Sequence, residues 1–157
     1  MPVGTYDFGG GIVSRVGNVE VLLAPIANSA NNVLATVLSF AGVAGESYEF
    51  DFVGHYTTAA DTTGSRWTVV SVGTPTTIRY RSRWTLTATT EFFTNYVAEG
   101  LPSAASATSL AAGSTCHIVG TITPSASGLV EFQFASEVDT SAVTALPGTR
   151  LEWRQLT

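Results

Sequence analysis

A reaction centre built from this chain would draw on few groups: two histidines, His55 and His117, one cysteine, Cys116, and a sparse set of carboxylates. A nucleophilic triad needs a serine or cysteine beside a histidine and a carboxylate. Cys116 adjoins His117, but neighbours in a strand point to opposite faces, so the two are badly placed to act together. Cys116 reads instead as a buried structural thiol. His55 shares a strand face with Asp51 and Glu49, which would make half a site for a divalent ion; the plainer reading is a polar outer face. Glu49, Asp51 and Glu131 could supply paired carboxylates for glycoside hydrolysis, yet nothing in the sequence brings them into one cleft. Gly9, Gly10 and Gly11 are followed by no Gly-Lys-Ser/Thr sequel, and the chain has no lysine, so they do not resemble a phosphate cradle. No catalytic residue, metal ligand or cofactor is assigned, and the chain is read as no enzyme.

The stronger chemical pattern is electrostatic. Arg79, Arg81 and Arg83 share one parity of a strand, with Ile78, Tyr80, Trp84 and Leu86 on the other. Guanidinium groups form bidentate pairs with carboxylates, and Glu49, Asp51, Glu131 and Glu152 lie on outward parities of other strands. Two readings stay open: cross-strand surface ion pairs, or a charged seam between subunits. For the second, Glu49, Asp51, Arg79, Arg81 and Arg83 are the candidate interface residues.

The elements that carry these groups are strands. Glu46 to Tyr56 alternates Tyr48, Phe50, Phe52 and Tyr56 with Glu49, Asp51 and His55, the period of 2 expected of a strand with an aromatic inner face. A polar turn over Thr57 to Gly64 leads to Arg66–Val72, with Trp67 and Val69 inward. Ile78–Thr89, Glu91–Val97, Cys116–Thr123, Leu129–Ala135, Ala142–Leu146 and Arg150–Leu156 follow, and Val33–Phe40 comes before. Ile12 to Leu23 reads as a strand pair around a Gly17-Asn18 turn. Gly100 to Gly113 is alanine-rich, but Pro102 and its serines argue for a loop. Nine or ten short strands punctuated by turns imply an all-β antiparallel β-sandwich or barrel; two four-stranded sheets, as in a jelly roll, fit eight of them. Met1 to Gly11 reads as an extended N-terminal arm, with Tyr6 and Phe8 isolated before the glycines and Ile12 and Val13 after them. Residues 1–26 are therefore assigned to the arm and strand pair, and 27–157 to the sandwich domain.

The 157 residues suffice for one domain with its own core, and a single cysteine permits no internal disulfide. Only 12% of residues are charged, about half the usual fraction. Such a surface suits either a hydroxyl-rich β-sandwich or a protein largely covered by other subunits, whose interfaces lose Lys and Glu but keep Arg. A net charge of −5 argues against a nucleic-acid binder, which needs a basic footprint. No basic leader with an apolar core opens the chain and no run of 18 apolar residues occurs, so neither a signal peptide nor a membrane partner is expected, and synthesis and assembly in a cytoplasm are.

Two stretches, Ala44 to Trp67 and Thr115 to Leu156, resemble phage virion proteins built on a tumour-necrosis-factor-like jelly roll. The matching residues are Tyr48, Phe50, Phe52, Tyr56 to Ala59 and Gly64; Gly120 and Thr121; Gly128, Leu129 and Phe134 to Glu137; and Gly148 to Leu151. The resemblance covers about Ala27 to Thr157, while residues 1–26 have no counterpart. It implies a virion structural protein, either a capsid decoration (cement) protein or a receptor- or carbohydrate-binding head of a tail or fibre. It also implies a homotrimer, with the major capsid protein or other virion proteins as partners. An extended arm suits the cement protein, since a strand can lie across capsid subunits or pair with sheet edges. Tyr6, Phe8, Ile12 and Val13 are then the candidate capsid-binding arm.

Overall fold

The computed structural model describes residues 18–31, 33–100 and 110–156. The expected arm residues Tyr6, Phe8, Ile12 and Val13 lie outside them, as does most of the loop expected over 100–113.

The described residues contain eleven strands and no helix. They are β1 (Asn18–Val21), β2 (Ile26–Asn28), β3 (Ala35–Gly42), β4 (Ser47–Thr58), β5 (Ser65–Ser71), β6 (Thr77–Thr87), β7 (Thr90–Tyr96), β8 (Ser114–Thr123), β9 (Gly128–Ser136), β10 (Val143–Ala145) and β11 (Arg150–Leu156). All pairings are antiparallel. The larger sheet runs β1-β11-β4-β8-β6-β7, with β10 pairing the end of β4 and β2 pairing β10; the smaller runs β3-β9-β5. The chain crosses between sheets at β2–β3, β3–β4, β4–β5, β5–β6, β8–β9 and β9–β10, so this is the antiparallel β-sandwich of jelly-roll type that the strand pattern predicts.

Alternation decides which side chains fill the sandwich. Phe52, Tyr56, Trp67, Phe132 and Phe134 are wholly buried. Phe132 stacks on Phe52 and meets Phe50 edge-on, at centroid distances of 5.1 and 5.2 Å. Phe40 stacks on Trp153 at 4.7 Å, and Trp67 meets Tyr56 at 5.2 Å, so both ends of the core bridge the sheets.

The distribution of strands departs from four-plus-four. β6 joins β8 in the larger sheet instead of extending the smaller one past β5, and Gly120 is a physical reason. A Cβ there would stand 2.5 Å from the Tyr80 Cβ and overlap the Arg79 carbonyl, so only glycine lets β6 approach. The edge of β5 is met instead by the segment after β7. Glu99 accepts hydrogen bonds from the Ser71 N–H and hydroxyl, and the Thr68 hydroxyl donates to the Gly100 carbonyl at 2.7 Å. Burial holds the Glu99 carboxyl above its ordinary range, against the pull of those Ser71 bonds.

The expected Gly17-Asn18 turn is corrected: Asn18 lies within β1, opposite Trp153 of β11. Of that apolar set Val19, Val21 and Leu23 are exposed, Leu23 at 87%, whereas neighbouring Leu22 is 7% exposed and joins the core. The cause is position, because β1 is an edge strand whose outward parity carries the valines. The expected Pro147-Gly148 turn is present. Thr149 N–H donates to the Leu146 carbonyl at 3.2 Å and Gly148 has φ of 89°, the arrangement of a type II turn.

Candidate functional site

The outer face of the larger sheet gathers most of the residues singled out above. Register places them in rows. In the first, Arg154 of β11 opposes Glu49 of β4, Glu49 opposes Thr121 of β8, and Thr121 opposes Arg79 of β6. The second runs Val19, Glu152, Asp51, Val119, Arg81, Asn95, and the third Val21, Arg150, Val53, His117, Arg83, Phe93. Five of the chain's seven arginines stand on this face, although the chain as a whole is acidic.

β8 stands between the carboxylates of β4 and the arginines of β6. Adjacent strands are about 4.8 Å apart, so the two columns are separated by about 10 Å. The carboxylates find closer partners. Glu49 pairs with Arg154 Nε, and this hydrogen bond raises the Arg154 guanidinium above its ordinary value. Asp51 Oδ1 lies 2.9 Å from His117 Nε2, which reaches it diagonally from β8. Arg150 lies 3.2 Å from Glu152, and Arg83 lies 3.9 Å from Glu91 of β7. Arg81 sits 5.9 Å from the centre of the Phe93 ring, within cation–π range. Among the described residues Arg79 and Arg81 have no carboxylate partner.

The face is concave. A hollow of about 600 Å3 lies over β4 and β8, lined by Val19, Glu49, Asp51, Val119, Glu152 and Arg154 among others. A second, of about 320 Å3, adjoins it at Asp51 and is lined by Val53, Arg83, Glu91, His117 and Arg150. Acidic, basic and small apolar side chains thus alternate across one rigid surface.

The other weighed chemistries are separated by the fold. Cys116 faces the core, where burial pushes its thiol well above the ordinary value, while His117 faces outward. Glu131 lies on the outer side of the smaller sheet, hydrogen-bonded to Thr36 and Gln133, and so cannot share a cleft with Glu49 and Asp51 or meet the β6 arginines. His55 is on the face of Asp51 but four residues along β4, about 13 Å away. Among the described residues no group of three potential metal ligands converges.

Sequence reasoning missed the pairing of Asp51 with His117, and the roles of Arg150, Arg154 and Glu91. Parity put Arg150, Glu152 and Arg154 on one face of the last strand. Register, which parity does not supply, makes β11 and not β6 the neighbour of β4.

No protein-family model and no curated protein matches the chain. Among solved structures it is similar to one of the infectious bursal disease virus Gt strain, at 13% identity over 99% of this chain and 45% of that one, with a TM-score of 0.27. A structure of the Gx strain aligns at 11% identity over 90% and 36%, with a TM-score of 0.22. A point mutant of the VP2 protein of that virus, in derived T=1 particles, aligns at 9% identity over 98% and 39%, with a TM-score of 0.24. The chain spans less than half the length of each. Scores this far below 0.5 assign neither fold nor role.

Proposed function

We propose that the chain is a non-enzymatic structural protein of a phage virion, a capsid decoration protein that binds and stabilises the capsid as a homotrimer. The observation that carries the reading is the outer face of the larger sheet. Its carboxylates are engaged by His117, Arg150 and Arg154, its one neighbouring thiol faces away, and among the described residues Arg79 and Arg81 have no carboxylate of their own. That is the constitution of a docking surface, since exposed guanidinium groups on a rigid sheet recognise carboxylates of another chain. The resemblance over residues 27–157 and the low surface charge support the setting. Residues 1–11 would add a second attachment to the coat, and joining several copies would make binding multivalent.

Removal of residues 1–11 tests the assignment. The truncated protein is expected to keep the circular dichroism and solution mass of the full chain and to lose co-sedimentation with purified capsids. Undiminished co-sedimentation would overturn the decoration role of the arm.

A further inference from the structure

We infer that the outer face of the larger sheet binds the same face of a second copy across a two-fold axis running along β8. The inference rests on the reading of this face as a docking surface and supplies its partner. Arg79 and Glu49 occupy one row, one strand to either side of β8, and Arg81 and Asp51 occupy the next in the same way. Rotation by 180° about an axis parallel to β8 exchanges the β6 and β4 columns and keeps each row level. Arg79 then faces Glu49 of the second copy, and Arg81 faces its Asp51, twice each.

The remaining contacts follow without adjustment. β11 exchanges with β7, so Glu152 comes opposite Asn95 and Arg150 opposite the exposed ring of Phe93. The axis itself passes over Thr121, Val119 and His117, which include no carboxylate and no guanidinium. Packed sheets lie about 10 Å apart with strands within about 30°, so side chains from both must interdigitate. The 600 Å3 hollow lined by Glu49, Asp51 and Glu152 gives the second copy's Arg79 and Arg81 a place to enter. Glu49 and Asp51 each carry two oxygens, so both can accept a guanidinium in addition to Arg154 and His117.

Footprint and symmetry fit a modest self-contact. The five strands from β11 to β7 at about 4.8 Å and about seven residues at about 3.3 Å give a projected area of roughly 550 Å2. Stable interfaces bury about 800 Å2 on each partner, so this contact lies toward the small end. A head-to-tail ring needs two separate patches. Here both charge columns face the same way with one strand, β8, between them, which suits an isologous contact. Such a contact is independent of any threefold contact made by other surfaces, and joins monomers into dimers or trimers into hexamers.

The test uses two full-length variants, Arg79→Glu with Arg81→Glu, and Glu49→Arg with Asp51→Arg, measured by light scattering and sedimentation over a concentration series. Wild type is expected to have an even number of copies and each variant alone half the wild-type mass, with unchanged circular dichroism. An equimolar mixture should regain the wild-type mass, since each arginine column then meets a carboxylate column. Arg79→Ala with Arg81→Ala, which adds no charge, should weaken association by at least about tenfold, and guards against misfolding of the reversed variants. A wild type of odd copy number, folded variants at the wild-type mass, or a mixture that stays apart would overturn the inference. Capsid co-sedimentation by the half-mass variant separates this outcome from failure of the decoration role.

Discussion

Tyr80 shows how a single side chain ties the two sheets. Its ring stacks on Tyr96 at 4.9 Å, and its hydroxyl lies 3.1 Å from the Thr68 hydroxyl of the opposite sheet. Burial pushes its pKa up to about 12, opposed by the hydrogen bond to Thr68. The native state therefore holds this proton more tightly than the unfolded chain, whose tyrosines titrate near 10. The associated stability is complete below about pH 10 and is lost as pH rises toward 12. In a spectrophotometric titration Tyr80→Phe is expected to remove an ionisation step near pH 12 that wild type shows. Gly120 beside it makes the converse point. Gly120→Ala would push β6 from β8 and is expected to cost about 1–3 kcal/mol in urea denaturation, as overpacking does.

At the scale of elements, β4 and β9 carry the core, and their contact sets the strength of the sandwich. Phe132→Ala would remove the ring that both Phe50 and Phe52 touch, at an expected cost of about 3–5 kcal/mol by chemical denaturation. These strands are also the ones most legible in the sequence. Tyr48, Phe50 and Phe52 alternate with Glu49 and Asp51, and Val130, Phe132 and Phe134 alternate with Glu131 and Gln133, so period alone sorts inside from outside. The arginine row of β6 was readable for the same reason. What period cannot convey is which strand lies beside which. Nothing in the spacing of β8 says that His117 stands diagonal to Asp51, or that β8 separates the arginines from the carboxylates. β1 misled because three exposed valine and leucine side chains mimic a core pattern, while Leu22 between them supplies the buried contact. The uneven sheets escaped prediction because spacing does not show that Gly120, by lacking a Cβ, leaves room for β6 to lie against β8.

At the scale of the molecule, the larger sheet presents its charges to the outside as two columns of opposite sign, and the smaller sheet serves chiefly to close the core. Interactions across an exposed charged face weaken with salt, since the Debye length falls to about 3 Å at 1 M. Association of wild type is accordingly expected to decline as sodium chloride rises toward 1 M, while the denaturation midpoint of the separated copies changes far less; sedimentation and circular dichroism on the same samples distinguish the two.

The position of β11 has a temporal consequence. It follows the other ten described strands in sequence, yet it lies inside the larger sheet between β1 and β4. A chain emerging from the ribosome at about 5–20 residues per second holds β1 unpaired and the β4 flank open until β11 has emerged. The outer face, its hollow and its three charged rows are therefore completed only once β11 is in place, so a nascent chain that stops short of β11 cannot present that face to a partner.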